Sequence, residues 1–230
     1  MRAVLLGAGY GTRLAPLTDT CPKILVPVVG EPLLGHQIRY LARQGVSELA
    51  LNVHYLGQQV RDYLRTTSWP VRVRLFPEEE LLGTAGALLP MRSFLTEPFV
   101  LLYGDVVTNM DLGDLLRDLR DVATLSYYVS VDTEDKGVLE LDDTGRVVAF
   151  VEKPPTTEAV CAINAGVYAL DPAILDLIPE RGDFGLDVWP TLLRTGRLHG
   201  HRTDAYVADI GSIEMLRQVE DDVRRGALEW

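Results

Sequence analysis

The segment Ala3–Arg13, AVLLGAGYGTR, is the most informative part of the sequence for the fold, because it joins a short apolar run to a turn with three alternating glycines. An apolar run of this length that ends in glycine is typical of a buried strand in a parallel sheet. Glycines directly after such a strand let backbone N–H groups converge on an anion, because no Cβ blocks the approach. The segment therefore predicts a parallel strand with an anion site at its carboxyl end.

Strand and helix patterns alternate from this segment onward. Strands are predicted over Ala3–Leu6, Glu48–Val53, Val71–Phe76 and Phe99–Tyr103, and helices over Leu33–Arg43, Leu56–Leu64 and Gly83–Met91. This alternation predicts an α/β protein, a three-layer α/β/α sandwich with a Rossmann-like parallel sheet. In such sheets ligands bind beyond the carboxyl ends of the strands. Gly7, Val53, Phe76 and the Gly104–Asp105 pair all lie at those ends.

The second half of the chain has a different character. An antiparallel hairpin is predicted from Val138–Leu141 and Arg146–Val151, which flank the turn Asp142–Gly145. The remaining predicted elements are a strand over Ile163–Leu170 and helices over Pro172–Ile178, Leu186–Leu193 and Ile213–Arg225, the last with Ser212 as its N-cap. We therefore expect a mixed, mostly parallel sheet.

Length and composition restrict the possible functions. The 230 residues predict a single domain over 1–230, with 47% hydrophobic residues for its core. The net charge of −11 disfavours nucleic acid and anionic membranes as partners, because both require a basic surface. Cys21 and Cys161 match no zinc or redox spacing, and the N-terminal apolar run is too short for a signal peptide. We expect a cytoplasmic protein.

The glycine turn is accompanied by two cations, Arg13 and Lys23, which suit a polyphosphate. The spacing is not the dinucleotide-binding GxGxxG, since Thr12 stands at the last position, and there is no Walker A sequence. These differences disfavour an oxidoreductase. The alternative interpretation is a flexible turn with two solvated cations. The residues assigned to nucleotide binding in this turn are Leu6, Ala8, Gly9, Gly11 and Thr12.

A candidate metal ligand, Asp105, follows the predicted strand Phe99–Tyr103 and is preceded by Gly104. A carboxylate at that end of a parallel strand is well placed to hold Mg²⁺ on a triphosphate. The alternative is a helix N-cap for Met110–Leu119, although the intervening residues make that helix distant. The sequence favours the metal.

Six ordered segments together resemble one family. The stretch Leu5–Leu34 is similar to the N-terminal fingerprint of the sugar-phosphate nucleotidylyltransferases, also called NDP-sugar pyrophosphorylases. The other segments are Glu80–Leu88 (ELLGTAGAL), Gly104–Asp105, Phe150–Pro154 (FVEKP), Ile163–Tyr168 (INAGVY) and Asp209–Gly211. ELLGTAGAL most resembles the mannose-1-phosphate and heptose-1-phosphate guanylyltransferase branch, which usually has proline in place of Leu81. The resemblance implies the nucleotide-diphospho-sugar transferase fold, without the C-terminal β-helix that many relatives carry.

The resemblance also implies roles for residues that spacing alone does not assign. Asp209 would be the second Mg²⁺ ligand; by itself it would be an ordinary turn residue. Lys153 would be catalytic and face the sugar phosphate, and Glu152 would accept sugar hydroxyls, although a surface turn is the alternative. The other implied sugar-binding residues are Gly137, Asn164, Gly166 and Asp187.

A run of three glutamates supplies the candidate base-reading group. Guanine offers N1–H and N2–H₂ donors, which one carboxylate can accept together, whereas uracil and thymine present only N3–H. Glu78 is favoured by its offset from Gly83, Glu80 is second, and the backbone of Gly83 and Thr84 would assist. At least one glutamate of the run is expected to be a solvated surface residue.

These residues predict an Mg²⁺-dependent enzyme that transfers GMP from GTP to a sugar 1-phosphate, giving an NDP-sugar and pyrophosphate. Arg13, Lys23, Asp105 and Lys153 would be the catalytic residues. The alternatives are the same chemistry with UTP or dTTP, and a catalytically silent subunit that senses nucleotide sugars. As in many members of the family, a homo-oligomer is expected.

Overall fold

Strands and helices alternate along the first half of the chain, as the sequence predicts. The structure, a computed structural model, describes residues 1–66, 68–155 and 159–228. The strands are β1 Arg2–Leu6, β2 Pro27–Val28, β3 Glu31–Pro32, β4 Glu48–Val53, β5 Arg72–Pro77, β6 Phe99–Tyr103, β7 Val106–Thr108, β8 Ala123–Ser130, β9 Gly137–Leu141, β10 Val147–Glu152, β11 Cys161–Leu170, β12 Leu198–Arg202 and β13 Val207–Asp209. The α-helices are α1 Leu33–Arg43, α2 Gly57–Leu64, α3 Gly83–Gly86, α4 Leu112–Arg117, α5 Trp189–Thr195 and α6 Ile213–Arg224.

Contacts between backbones divide the chain into two compact units. The first unit contains Met1–Leu81, Leu102–Asp111 and Ala205–Trp230, and the second contains Leu82–Leu101 and Leu112–Asp204. Among the described ranges, none of the helices combines the length and the apolar character needed to cross a lipid bilayer.

The first unit is built on three parallel strands. β4 pairs with β1 on one side and with β5 on the other, so that Asn52 lies opposite both Leu6 and Phe76. The central residues of β1 are fully buried, as expected for a parallel strand that is covered on both faces. Helix α1 has the predicted bounds and ends before Gly45, whose φ of +81° is the left-handed conformation of a helix C′ residue.

The C-terminal segment completes the core of the first unit. Strand β13 pairs antiparallel with β7, and Asp209 lies opposite Val106. Helix α6 starts at the predicted N-cap, where the Ser212 hydroxyl accepts a hydrogen bond from the N–H of Met215. Leu216 and Val219 of this helix pack in one buried cluster with residues of the segment after the glycine turn. The members of this cluster are Leu14, Val26, Val28, Leu33, Val107, Ile210, Leu216, Val219 and Leu228.

The second unit is a mixed sheet. β11 pairs antiparallel with β8 and β9, β12 pairs parallel with β8, and β9 and β10 form the predicted hairpin. Strand β8 was not predicted, and its Thr124 and Ser126 are fully buried. The predicted helix Leu186–Leu193 begins instead as a π-helical turn over Phe184–Val188 and continues as α5.

Two further predicted helices are shorter than expected. Helix α3 ends at Gly86, and a separate 3₁₀ turn follows over Leu89–Met91. This turn contains Pro90, which has no N–H to continue α-helical hydrogen bonding. The segment predicted as the helix Pro172–Ile178 is a 3₁₀ turn over Pro172–Asp176.

Candidate active site

The glycine turn follows β1 in the first unit. The N–H of Gly7 donates to the side-chain oxygen of Asn52 over 2.7 Å, and the Thr18 hydroxyl donates to the carbonyl of Gly11 over 2.8 Å. Gly9 is exposed, and a Cβ added there would meet no atom within 4 Å. Both ends of the turn are held by side chains, while its middle is open to solvent. Of the other residues assigned to this turn, Leu6 ends β1, Ala8 is buried, and Thr12 begins a 3₁₀ turn.

Lys23 and Asp105, 82 positions apart, form an ion pair in the first unit. The Lys23 Nζ lies 2.6 Å from the Asp105 Oδ2, and the two side chains are only 16% and 26% exposed. The buried side chain of Gln37 donates to the carbonyl oxygens of Gly104 and Val106, which flank Asp105. The fold therefore joins two predicted catalytic residues and fixes the backbone on either side of the carboxylate.

The pairing of β7 with β13 places the second predicted metal ligand near the first. Asp209 lies opposite Val106, and the N–H of Ile210 donates to the carbonyl of Asp105 over 2.9 Å. No group of three or more His, Cys, Asp or Glu side chains within residues 1–66, 68–155 and 159–228 could hold a metal. Two carboxylates suffice for Mg²⁺, which keeps several waters and takes phosphate oxygens from its substrate. The donor set fits Mg²⁺.

Arg13 lies in the same part of the first unit. A Cβ added at Gly211 would come 3.3 Å from Nη2 of Arg13 and 3.4 Å from Oδ1 of Asp209. The guanidinium and this carboxylate therefore lie against the same backbone position. The fold thus collects Arg13, Lys23, Asp105 and Asp209 around the ends of β1, β6 and β13.

Glu78 is joined to the glycine turn through residues that the sequence analysis did not single out. Its carboxylate accepts a hydrogen bond from Nδ2 of Asn52 over 2.6 Å, and its carbonyl lies 2.9 Å from Nδ1 of His54. The other ring nitrogen of His54 lies 3.1 Å from the Tyr10 hydroxyl. A signal for these residues existed, because Asn52 and His54 stand at the carboxyl end of a predicted strand. Glu80, the second candidate for base reading, is exposed.

The GTAG segment of α3 is anchored within the second unit. Gly83 has a φ of +82°, and a Cβ there would lie 2.4 Å from the carbonyl oxygen of Gly182, so only glycine fits. The N–H and the hydroxyl of Thr84 both donate to Oδ1 of Asp183, over 2.9 and 3.0 Å. The predicted nucleotide-binding pair, Gly83 and Thr84, is therefore held against the segment that precedes α5.

Three of the predicted sugar-binding residues, Gly137, Asn164 and Gly166, lie together in the second unit. A Cβ added at Gly137 would come 3.4 Å from Cβ of Asn164. The amide of Asn164 donates to the Tyr168 hydroxyl and accepts from the N–H of Gly166. A Cβ added at Gly185 would come 2.7 Å from Oε2 of Glu152.

The remaining two assigned residues of the second unit are engaged in local contacts. Oδ2 of Asp187 accepts a hydrogen bond from the N–H of Asp183 over 2.7 Å. Lys153 has a φ of +49°, and its ammonium lies 3.4 Å from Oδ1 of Asp135 in an exposed ion pair. Such exposed pairs contribute little stability. The catalytic role of Lys153 and the sugar-binding role of Asp187 stay predictions.

Desolvation raises the pKa of Glu152, and the negative charge of Asp183 adds to this effect, whereas Lys153 opposes it. A raised pKa in the folded state means that folding favours the protonated form. The protonated form of Glu152 therefore stabilises the folded protein fully below the ordinary pKa of glutamate. This stabilisation is lost as the pH rises through the folded-state pKa of Glu152. Above the folded-state pKa, the ionised form of Glu152 is less favourable to folding than the protonated form.

Replacing Glu152 with glutamine should therefore make the protein modestly more stable than the wild type at pH 7, because glutamine carries no desolvated charge. The advantage should disappear near pH 4, where Glu152 is itself protonated. Urea unfolding at both pH values measures this difference. Glu140→Gln, at a likewise exposed position of neighbouring β9, is the matched control. A Glu152→Gln advantage that is independent of pH, or a loss of stability at pH 7, would contradict this account.

The chain belongs to the nucleotidyl transferase family, whose model matches residues 2–226. The family resemblance inferred from the six sequence segments is thereby confirmed.

Two curated relatives illustrate the range of similarity. Mannose-1-phosphate guanylyltransferase catalytic subunit beta from Danio rerio is 34% identical over 221 residues, which cover 92% of this chain and 61% of the relative. UTP–glucose-1-phosphate uridylyltransferase from Synechocystis is 28% identical over 235 residues, which cover 93% of this chain and 61% of the relative. The chain thus spans 61% of the length of either relative.

A solved structure matches nearly the whole chain. HddC from Yersinia pseudotuberculosis, complexed with GMP-PN, superposes with a TM-score of 0.85 at 28% identity, covering 96% of this chain and 99% of HddC. This match confirms the predicted fold class, a mixed, mostly parallel sheet with helices in the nucleotide-diphospho-sugar transferase fold.

Proposed function

We propose that this protein transfers a nucleoside monophosphate from a nucleoside triphosphate to a sugar 1-phosphate and releases pyrophosphate. The observation that carries the proposal is the ion pair of Lys23 with Asp105, 2.6 Å apart, in the unit that also holds the glycine turn. A fixed cation, a carboxylate suited to Mg²⁺ and an open glycine turn are the groups that a bound triphosphate requires. Membership of the nucleotidyl transferase family supports the same reaction.

The proposed reaction needs charge and positioning more than it needs a base. The phosphate oxygen of a sugar 1-phosphate is ionised at neutral pH, so it can attack the α-phosphorus without losing a proton. The rate then depends on in-line alignment and on neutralisation of the phosphate charge. Arg13 would stabilise the departing β- and γ-phosphates, Lys23 the reacting phosphates, and Lys153 the sugar phosphate.

Asp105 and Asp209 would hold Mg²⁺ when the triphosphate is bound. Bound Mg²⁺ neutralises charge on phosphate oxygens as a Lewis acid. Lys23 would stay beside Asp105 and keep this carboxylate in place while the triphosphate binds.

We propose GTP as the triphosphate. Glu78 presents a carboxylate, which accepts hydrogen bonds and so matches the two neighbouring donors of guanine. The guanylyltransferase name of the Danio rerio relative and the GMP-PN in the HddC structure support this choice. The uridylyltransferase name of the Synechocystis relative favours UTP as the alternative, with dTTP as its close analogue.

The sugar phosphate is assigned to the second unit. Glu152 would accept hydrogen bonds from sugar hydroxyls, Asn164 and Gly166 would line the same pocket, and Gly137 would give the sugar close access to the backbone. Asp187 would complete this set. Mannose 1-phosphate and a heptose 1-phosphate are the first acceptors to test.

A panel of the four triphosphates against these acceptors, with Mg²⁺ and with pyrophosphate release as the readout, tests the proposal directly. We expect release that requires both substrates, with GTP giving the highest kcat/KM. A higher kcat/KM with UTP or dTTP would replace the guanylyl assignment and keep the reaction class. Binding of GTP without any pyrophosphate release would favour the silent nucleotide-sensing subunit.

Other expectations from the sequence remain proposals. We propose that residues 1–230 act as one catalytic domain, that the protein works in the cytoplasm, where triphosphates are available, and that it assembles with copies of itself. Light scattering of the purified protein measures the last of these properties.

A further inference from the structure

We propose that Asn52 is a positioning residue that orients the side chain of residue 78 and thereby sets the choice of nucleotide base. This inference rests on the proposed function, in which Glu78 contacts the base. The evidence is a hydrogen-bonded chain that runs from Gly7 through Asn52 to Glu78.

Asn52 is placed to join the glycine turn and the base-reading residue. It belongs to β4, the middle strand of three in the first unit, and the residue is only 4% exposed. Its Oδ1 accepts from the N–H of Gly7 over 2.7 Å, and its Nδ2 donates to Oε1 of Glu78 over 2.6 Å. A buried amide in an apolar strand is costly unless it is hydrogen-bonded, and here both of its ends are.

The orientation of the Asn52 side-chain amide is fixed by the backbone N–H of Gly7. An N–H group can only donate, so the oxygen of Asn52 must face Gly7, and its NH₂ group must then face Glu78. Residue 78 must therefore offer an acceptor to Asn52. An ionised carboxylate does so with one oxygen and still has acceptor sites for a base, because it has no donor of its own. This arrangement matches the donors of guanine.

The same geometry predicts a different outcome with glutamine at position 78. The glutamine oxygen would turn to Asn52, so its NH₂ group would face the base. A donor would then meet the donors of guanine, whereas the carbonyl oxygens of uracil could accept from it. Asn52 therefore determines which end of the side chain at position 78 reads the base.

The backbone of Glu78 is held independently of Asn52. Its N–H donates to the carbonyl of Val53 over 2.8 Å, and its carbonyl lies 2.9 Å from Nδ1 of His54. Because a carbonyl only accepts, Nδ1 of His54 donates to it, while Nε2 lies 3.1 Å from the Tyr10 hydroxyl. A change at Asn52 should therefore reorient the Glu78 side chain without releasing its backbone.

A reversal of the hydrogen bond tests the proposal. The variant Asn52→Asp keeps an oxygen that accepts from the N–H of Gly7, but it brings a second carboxylate against Glu78. The variant Glu78→Gln turns an NH₂ donor toward the base. Each single variant should weaken GTP binding at least tenfold. In the double variant, the carboxylate introduced at position 52 can accept from both Gly7 and the glutamine NH₂ group, so the glutamine oxygen faces the base. GTP binding should then be at least tenfold tighter than in either single variant.

Two quantities are measured for each variant. Calorimetry in the presence of Mg²⁺ gives the dissociation constants of GTP and of UTP, and an unfolding experiment gives the midpoint of unfolding. A purely structural role for Asn52 would alter both dissociation constants in parallel with stability. The proposal requires the GTP dissociation constant, divided by that of UTP, to rise in Glu78→Gln and to return toward the wild-type value in the double variant. If Asn52→Asp does not fold, the comparison of Glu78→Gln with the double variant carries the test.

A folded double variant that binds GTP no better than Glu78→Gln would overturn the proposal. The proposed transferase reaction fails by a different result, namely wild-type protein that releases no pyrophosphate with any triphosphate and acceptor. Because binding is measured without turnover, the two failures are distinguishable.

Discussion

Replacing Asp105 with asparagine should lower the rate of pyrophosphate release by about 10²- to 10³-fold, the usual effect of removing one group that stabilises transition-state charge. Asparagine has the same shape as aspartate but cannot neutralise a cation. The change therefore removes a carboxylate suited to Mg²⁺ and also the partner of Lys23, whose ammonium lies 2.6 Å away. The rate should stay low throughout a titration with Mg²⁺.

Asp62→Asn is the matched control for this loss. Asp62 lies on α2 in the same unit, is 59% exposed and pairs only loosely with Arg65. Its replacement removes one negative charge from the unit at a residue with no role in the proposed chemistry, and the rate should not change. A folded Asp105→Asn variant that works within threefold of the wild type would contradict the assignment of Asp105.

Most regular elements of the first unit could be predicted because local pattern and tertiary environment agree there. β4 and α1 have the predicted bounds, since a run of buried apolar residues broken only by Asn52 and a helical apolar stripe each indicate a single structure. Strand β8 carries a weaker signal. Its buried Thr124 and Ser126 interrupt the apolar pattern, and their hydroxyls donate to the backbone carbonyls of Asp118 and Val167.

The candidate site was predictable as separate motifs but not as a set of contacts. Lys23 and Asp105 are each conspicuous in the sequence, yet spacing alone cannot predict an ion pair between residues 82 positions apart. Asn52 was missed for a different reason. It follows four buried or half-buried residues of β4, and a single amide at the end of an apolar strand indicates a function only when its partners are known.

Replacing Gly104 with alanine should destabilise the fold by about 1–3 kcal/mol, the usual cost of forcing extra atoms into a packed position. A Cβ at Gly104 would lie 2.3 Å from the carbonyl oxygen of Leu6, a backbone atom that cannot turn aside. The N–H of Gly104 also donates to this oxygen over 2.8 Å. Relief of the clash must therefore displace the start of the glycine turn and the neighbouring Asp105 together, so stability and GTP binding should both fall.

Gly9→Ala separates these two effects. Gly9 lies in the open middle of the turn, where an added Cβ meets nothing within 4 Å, so the fold should tolerate alanine or gain about 0.4–1 kcal/mol from a less flexible unfolded chain. The same methyl group would stand between the backbone and an approaching phosphate, and GTP should bind at least tenfold more weakly. Urea unfolding and calorimetry with GTP measure the two properties. Unchanged GTP affinity in Gly9→Ala would place the triphosphate elsewhere, because a phosphate held by this turn must approach its backbone at Gly9.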